Sequence, residues 1–255
     1  MRCSATNRAH LGALIFASMT STSASTADAQ EQDHIILGVG GSVAPTYQGA
    51  KNDRVLPIPA IDIKQGPFFA NLRNGVGIAP ISTDVVTIGA SVNFMQGYRA
   101  RDVPYGVYAL SDGVGARIFA TIRAAGFVAT IGATKGVLNG TKGAIVDASV
   151  SYPIQLSSEF SLTPTFGATW ADRRHNDRYF GVTPIQALTS GLPQFDTGSG
   201  VKDISGTLTA SYRLTDRITL SATGGVTSLV GAMKDSPLVF NKTQPFGFLM
   251  LTYRM

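Results

Sequence analysis

Cysteine is almost missing from this chain: of 255 residues only Cys3 is one, and histidine and tryptophan are nearly as scarce, with three and one. Cys3 precedes an apolar run, Leu11 to Met19, which follows Arg2 and Arg8 and leads through Ser, Thr and Ala to the A-x-A pattern Ala27, Asp28, Ala29. This is the form of an export signal, so residues 1–29 are expected to be a cleaved signal peptide and residues 30–255 the working chain. The exported part then has no cysteine, which excludes an internal disulfide and any cysteine metal site. Cys3 also stands on the wrong side of the apolar run to be a lipid-modified cysteine. No later run approaches the roughly 20 apolar residues of a membrane helix, so a membrane protein made from this chain must be a closed sheet. Charge is thin as well, at 15% of residues with a net +5. That balance suits contact with anionic lipid or cell-wall polymer and is too weak to argue nucleic acid.

Glycine, by contrast, is abundant at 28 residues, and the dominant pattern is alternation. Ile204, Gly206, Leu208, Ala210, Tyr212 and Leu214 interleave with Asp203, Ser205, Thr207, Thr209, Ser211 and Arg213. After Thr215, Asp216 and Arg217 the pattern restarts from Ile218 to Val226, with Thr219, Ser221 and Thr223 on the second face. A period of two marks a β-hairpin. A soluble sandwich also alternates, but it needs large side chains to fill a core about 10 Å thick. Here the apolar face mixes Gly and Ala with Leu and Ile, and the polar face is Ser and Thr rather than Lys and Glu. Such strands suit a barrel with lipid outside and a wet interior.

The same reading along the chain places strands at 35–44, 54–64, 67–73, 75–81, 85–95, 114–122, 127–133, 144–154, 160–170, 202–214, 218–226 and 246–255. Pro57 and Pro59 put the second of these near an end or a bulge. Asn74-Gly75 is the dipeptide that most favours a two-residue hairpin turn, and breaking the chain there makes the count even. The expected fold is therefore all-β, a closed antiparallel transmembrane β-barrel of about 12 strands. Loops are expected at 46–53, 97–112, 135–142, 171–201 and 230–244. Tyr152, Phe160, Trp170, Tyr212 and Tyr253 fall near strand ends as girdle residues.

Chemistry-bearing constellations are sparse. His34 and His175 are the histidines left after the signal; His175 sits in a charged stretch, Asp172 to Arg178, expected to be an exposed loop. A Ser/His/Asp set there is a weak reading, no zinc spacing exists, and Gly38, Gly40 and Gly41 lie within a strand rather than before a helix. Asn139-Gly-Thr141 and Asn241-Lys-Thr243 fit a glycosylation pattern but read as ordinary loops. No catalytic residue, cofactor or metal is expected. Arg117, Arg123, Asp147, Asp203 and Arg213 fall on inward faces, where they either line a pore and bias it toward anions or pair with one another and plug it.

Tyr179, Phe180, Gly181, Val182, Thr183, Gln186, Ala187, Ser190, Gly191 and Leu192 resemble the central motif of the MltA-interacting protein (MipA/OmpV) family. Pro45, Tyr47 and Gly49, then Tyr212, Arg213 and Leu214, then Asp235, Ser236 and Pro237 match its other marks, and the resemblance runs from about Ile35 to Met255. It implies an outer-membrane barrel of Gram-negative bacteria. The founding member is regarded as a scaffold joining a lytic murein transglycosylase to a murein synthase, and other members are linked to adhesion, osmotic response or small-molecule passage. Leu249, Leu251, Tyr253 and Met255 share one face and resemble the C-terminal signal read by the barrel-assembly machinery, although that signal usually ends in Phe or Trp. The expectation is a non-enzymatic scaffold for peptidoglycan-remodelling enzymes, with a narrow pore for small solutes as the alternative.

Overall fold

In the computed structural model, which describes residues 33–255, the alternation becomes one closed antiparallel sheet. The expected signal at 1–29 lies outside the described residues. The segments are β1 (His34–Pro45), β2 (Asp53–Gln65), β3 (Phe68–Asn71), β4 (Gly75–Ser82), β5 (Val86–Met95), β6 (Gly113–Ala124), β7 (Phe127–Asn139), β8 (Ala144–Ser151), β9 (Ile154–Gln155), β10 (Phe160–Ala171), β11 (Gly200–Arg213), β12 (Ile218–Leu229) and β13 (Thr243–Arg254). β8 and β9 both pair with β10 and are two pieces of one stave, interrupted at Tyr152 and Pro153, so the ring has twelve staves. β1 pairs with β13 and β10 with β11, which closes it. No described helix is long and apolar enough to cross a membrane.

Sidedness follows the alternation. Ile204, Leu208 and Tyr212 face outward and are exposed, whereas Asp203 and Thr209 on the other face of the strand are buried inside. Around the ring Val39, Ile118, Ile131, Phe166 and Leu249 also point out. Such a surface would be a liability in water and is favourable against lipid tails. Inside, hydroxyls pair across strands: Thr209 with Thr223 at 2.9 Å, Ser211 with Ser221 at 3.0 Å and Thr121 with Thr130 at 3.0 Å. Each pair satisfies two polar groups that the wall has taken from bulk water.

Short turns at 66–67, 83–85, 125–126, 156–159 and 214–217 lie at the end that also holds both ends of the ring, while the connections at 46–52, 96–112, 172–199 and 230–242 lie at the other. In outer-membrane barrels the short turns are periplasmic and the long connections external.

Several expectations are corrected. The loop expected at 135–142 is shorter, because β7 runs to Asn139 opposite Gly113, past a bulge at Val114/Gly115. The loop expected at 171–201 contains two helices, α1 (Arg173–Phe180) and α2 (Pro184–Ser190), and the one at 230–244 contains a 3-10 turn, Gly231–Asp235. The Asn74-Gly75 break is in the right place but has a different form. Asn71 pairs with Gly75, leaving a three-residue turn of Leu72, Arg73 and Asn74, with Gly75 at φ +82° where a side chain would be strained.

That short hairpin explains the two prolines. β3 pairs with β2 only over Asp62–Gln65, so the part of β2 holding Pro57 and Pro59 has no strand on that edge. Both prolines are nevertheless in register with β1, opposite Gly41 and Val39. Lacking an N–H, they fit that ladder only at pairs that exchange no hydrogen bond, so their nitrogens face the open edge. They sit in mid-strand beside a gap in the pairing, rather than near an end or a bulge.

Candidate functional site: a bridged lumen beneath a folded cap

The turn of the β3–β4 hairpin bends into the barrel. Leu72 packs on the inward cluster of Ala44, Ile58, Ala60, Phe246, Phe248 and Met250 from β1, β2 and β13. Arg73 reaches the other way and donates from Nη2 to Ser149 Oγ on β8. Asn74 meets β5 and β6: its carbonyl accepts from Ser91 Oγ at 2.5 Å and its Oδ1 from Arg117 Nε at 3.3 Å. One turn thus touches opposite walls, which places it across the lumen.

An ion pair along the facing wall, from β6 over β7 to β8, anchors the bridge. Arg117, only 2% exposed, donates Nη1 and Nη2 to the two carboxylate oxygens of Asp147 at 2.5 and 2.9 Å, and Nη1 also to Thr134 Oγ1 at 3.1 Å. The guanidinium lies over Gly132, where a Cβ would come within 2.1 Å of Nη2. A bidentate pair fixes geometry as well as charge. Of the two readings of the inward charges, the paired one describes Arg117 and Asp147. The others are dispersed. Arg123 donates to Thr87 Oγ1 nearer the periplasmic mouth, Arg213 is exposed at that mouth against the Ser158 carbonyl, and Asp203 is buried at the far end against Lys202 Nζ. Arg73 and Asn74 were not anticipated, since charge in a tight turn ordinarily means solvent; the unusual brevity of the 67–81 pair was the available signal.

Above the bridge the external connections fold into a cap with the largest apolar cluster among the described residues, including Tyr47, Tyr98, Val107, Tyr179, Phe180, Val182, Met233 and Leu238. Most residues behind the family resemblance meet here, each with a structural task, while Tyr212, Arg213 and Leu214 lie at a periplasmic turn. Tyr179 stacks edge-on against Tyr98 at 5.3 Å, and Phe180 is 1% exposed. Gly181 ends α1 with its N–H on the Asp177 carbonyl. Val182 bridges Phe195, and Thr183 and Gln186 form a capping box that starts α2. Ala187 packs on the cluster, Ser190 Oγ donates to the Gln186 carbonyl, and Gly191 closes the helix. The distant marks join the same body: Tyr47 OH donates to the Leu238 carbonyl at 2.9 Å, and Ser236 Oγ to the Phe180 carbonyl at 2.5 Å.

His175 is not on an exposed loop, as expected from its charged neighbours. It is 5% exposed on α1, stacked on Tyr179 at 5.8 Å, with Nδ1 2.9 Å from Thr141 Oγ1. Burial, then the nearby Lys202 charge, lowers its pKa to about 3 against the opposing pull of Asp172 and Asp203, so it is neutral. Asp172 spends Oδ1 on the His175 backbone N–H as the N-cap of α1. The imidazole is thus packed between Tyr179 and Thr141, and its nearby carboxylate is engaged in capping a helix. Tyr179, alongside, is pushed up to about 12, chiefly by burial. At the other end Leu249, Leu251, Tyr253 and Met255 share the outward, exposed face of β13 and its end.

A sealed ring of twelve staves, lipid-facing outside and hydroxyl-lined within, is an outer-membrane β-barrel. The chain belongs to the family described as MltA-interacting protein MipA, whose model matches residues 37–255. YiaT of Escherichia coli strain K12, named as an outer membrane protein, is 29% identical over 118 residues. The match covers 46% of this chain and 46% of YiaT, so it spans under half the length of that relative. The NanC porin structure is similar with a TM-score of 0.48 at 10% identity, over 86% of this chain and 100% of that one. The KdgM porin gives 0.43 at 9%, over 86% and 98%. The protein is a component of the bacterial outer membrane.

Two outcomes follow from this geometry. Asp147→Ala strands the Arg117 charge inside the wall and should lower unfolding stability in lipid vesicles by about 2–4 kcal/mol, less than a dry site would lose because Asp147 is 30% exposed. The double substitution R117M/D147L should recover most of that loss in the same urea titration. For His175, the unfolded chain takes up a proton near pH 6.5 that the folded cap accepts only near 3. The stabilisation is thus complete above pH 6.5 and declines as pH falls toward 3, by up to about 1.4 kcal/mol per unit. Near-UV circular dichroism of the buried tyrosines during thermal unfolding should report this decline, and His175→Asn should flatten it.

Proposed function

We propose that this protein works by binding: a non-enzymatic outer-membrane barrel that anchors peptidoglycan-remodelling enzymes at the periplasmic face. The observation that carries the reading is the bridged lumen, in a chain whose family is described by its interaction with MltA. A bridge of Arg73, Asn74, Arg117 and Asp147 under a packed apolar cap leaves a solute no straight passage, which weighs against the narrow pore. The burial of His175, 5% exposed within the cap, keeps it from a substrate and weighs against hydrolysis.

Cross-linking of intact envelopes followed by capture of this barrel is the test. A lytic murein transglycosylase, with a murein synthase beside it, should be enriched over a barrel of similar size and abundance. Capture of no murein enzyme would remove the scaffold role.

A further inference from the structure

The cap holds an open cleft between the connections 96–112 and 172–199, with a volume of about 290 Å³. Each wall is stiffened by a short antiparallel bridge. Tyr98 and Leu110 exchange backbone hydrogen bonds at 2.8 and 3.0 Å on one side, and Val182 and Phe195 do so at 2.9 and 3.0 Å on the other. Thr189 Oγ1 donates to the Gly106 carbonyl at 2.9 Å and ties the two connections together. Asp177 spends Oδ1 on the backbone N–H groups of Thr197 and Gly198 and on Thr197 Oγ1, which holds the chain beside Asp196 in place. The cleft is therefore shaped before any ligand arrives.

Its polar groups are graded by depth. Leu110, Val182 and Phe195 give it an apolar floor. Gln186, 8% exposed, turns Oε1 to the Thr183 N–H at 2.9 Å and to Thr183 Oγ1 at 3.0 Å. Its Nε2 has no hydrogen-bond partner among the described residues and is not sealed from solvent, so its N–H donors open on the cleft. At the rim stand Tyr108, 60% exposed, and the exposed Arg178 and Asp196, neither of which is in an ion pair among the described residues.

That grading selects the ligand. A charged group carried to the floor would lose its water and meet only an amide, so the deep part of the ligand is neutral. The charged side chains stay hydrated at the rim, where Arg178 offers donors and Asp196 an acceptor. The phenol ring beside them supplies a flat apolar face. A molecule with hydroxyls at its edge and C–H groups on its faces answers all three features. We infer that this cleft binds a neutral saccharide at the cell exterior. Gln186 and Arg178 donate to its oxygens, Asp196 accepts from a hydroxyl, and Tyr108 lies against a ring face. The volume, at the lower end for ligand clefts, suits about one or two sugar rings. The site is separate from the lumen and independent of the scaffold reading.

Saturation-transfer difference NMR on the full-length barrel in lauryldimethylamine oxide, a detergent without sugar, tests this. The probes are the methyl glycosides of glucose, galactose, mannose, N-acetylglucosamine and rhamnose. At least one should give saturable transfer, strongest at the protons of one ring face, with the weak affinity expected of so few contacts. Tyr108→Ala should weaken the bound sugar about fivefold, and R178M/Y108A about tenfold or more. Tyr108→Phe, which keeps the ring, and Tyr105→Ala, on the same connection outside the cleft, should leave binding unchanged. No transfer to any of these sugars, transfer unaltered in Y108A and R178M/Y108A, or binding of free glutamine or alanine in place of a sugar would overturn the proposal. Competition then separates the sources. Displacement by lipid-free polysaccharide from the same envelope marks a glycan of the cell's own surface, no displacement marks a free sugar, and either result upholds the site.

Discussion

Hydrocarbon accepts no unpaired backbone N–H or C=O, and this single requirement shapes the molecule. It closes β10 onto β11 and β13 onto β1, leaving the alternating side chains two destinations. Most Leu, Ile and Val go to lipid, and Ser and Thr go to an interior where they pair hydroxyl to hydroxyl beside two inward aromatic clusters, Phe246 with Phe248 and Phe69 with Phe119. The exception obeys the same physics. Where β3 is too short to cover β2, prolines stand at the open edge, so two donors that would lack partners are absent from the chain.

The interior also differs from that of an open channel in how its charges are spent. Arg117 is neutralised by Asp147, and Arg73 is carried into the lumen by a turn instead of by a strand. The external connections then pack as a small apolar core of their own, with Tyr98 in contact with both Tyr47 and Tyr179. Tyr47 and Tyr179, together with Phe180, Thr183, Gln186 and Ser236, carry much of the family resemblance. Most of that signature is accordingly the signature of a folded lid.

Much of this was legible in the residues themselves. The hairpin of β11 and β12 was read from period-two alternation, since its outward and inward faces differ in chemistry at every step from Asp203 to Leu229. Gly75 marked a turn because its φ requires a glycine. The helices α1 and α2 escaped notice because eight and seven residues are too few to display a helical period, although the Thr183 and Gln186 box was present in the sequence. His175 was misplaced because charged neighbours predict exposure when a helix is not foreseen; one face of α1 carries Arg173, Arg174 and Arg178 to solvent, and the other buries His175 and Tyr179. The inward course of Arg73 depends on contacts with strands more than 70 positions away, which no local pattern encodes.

A bridged lumen has an electrical consequence that can be read without knowing any partner. Purified protein inserted into planar lipid bilayers at neutral pH should pass no steady current, and weakening the bridge with R73G/D147A should open ohmic steps. Steady channels from the unaltered protein, of the same size as those of the variant, would contradict the closure of the barrel by Arg73, Arg117 and Asp147.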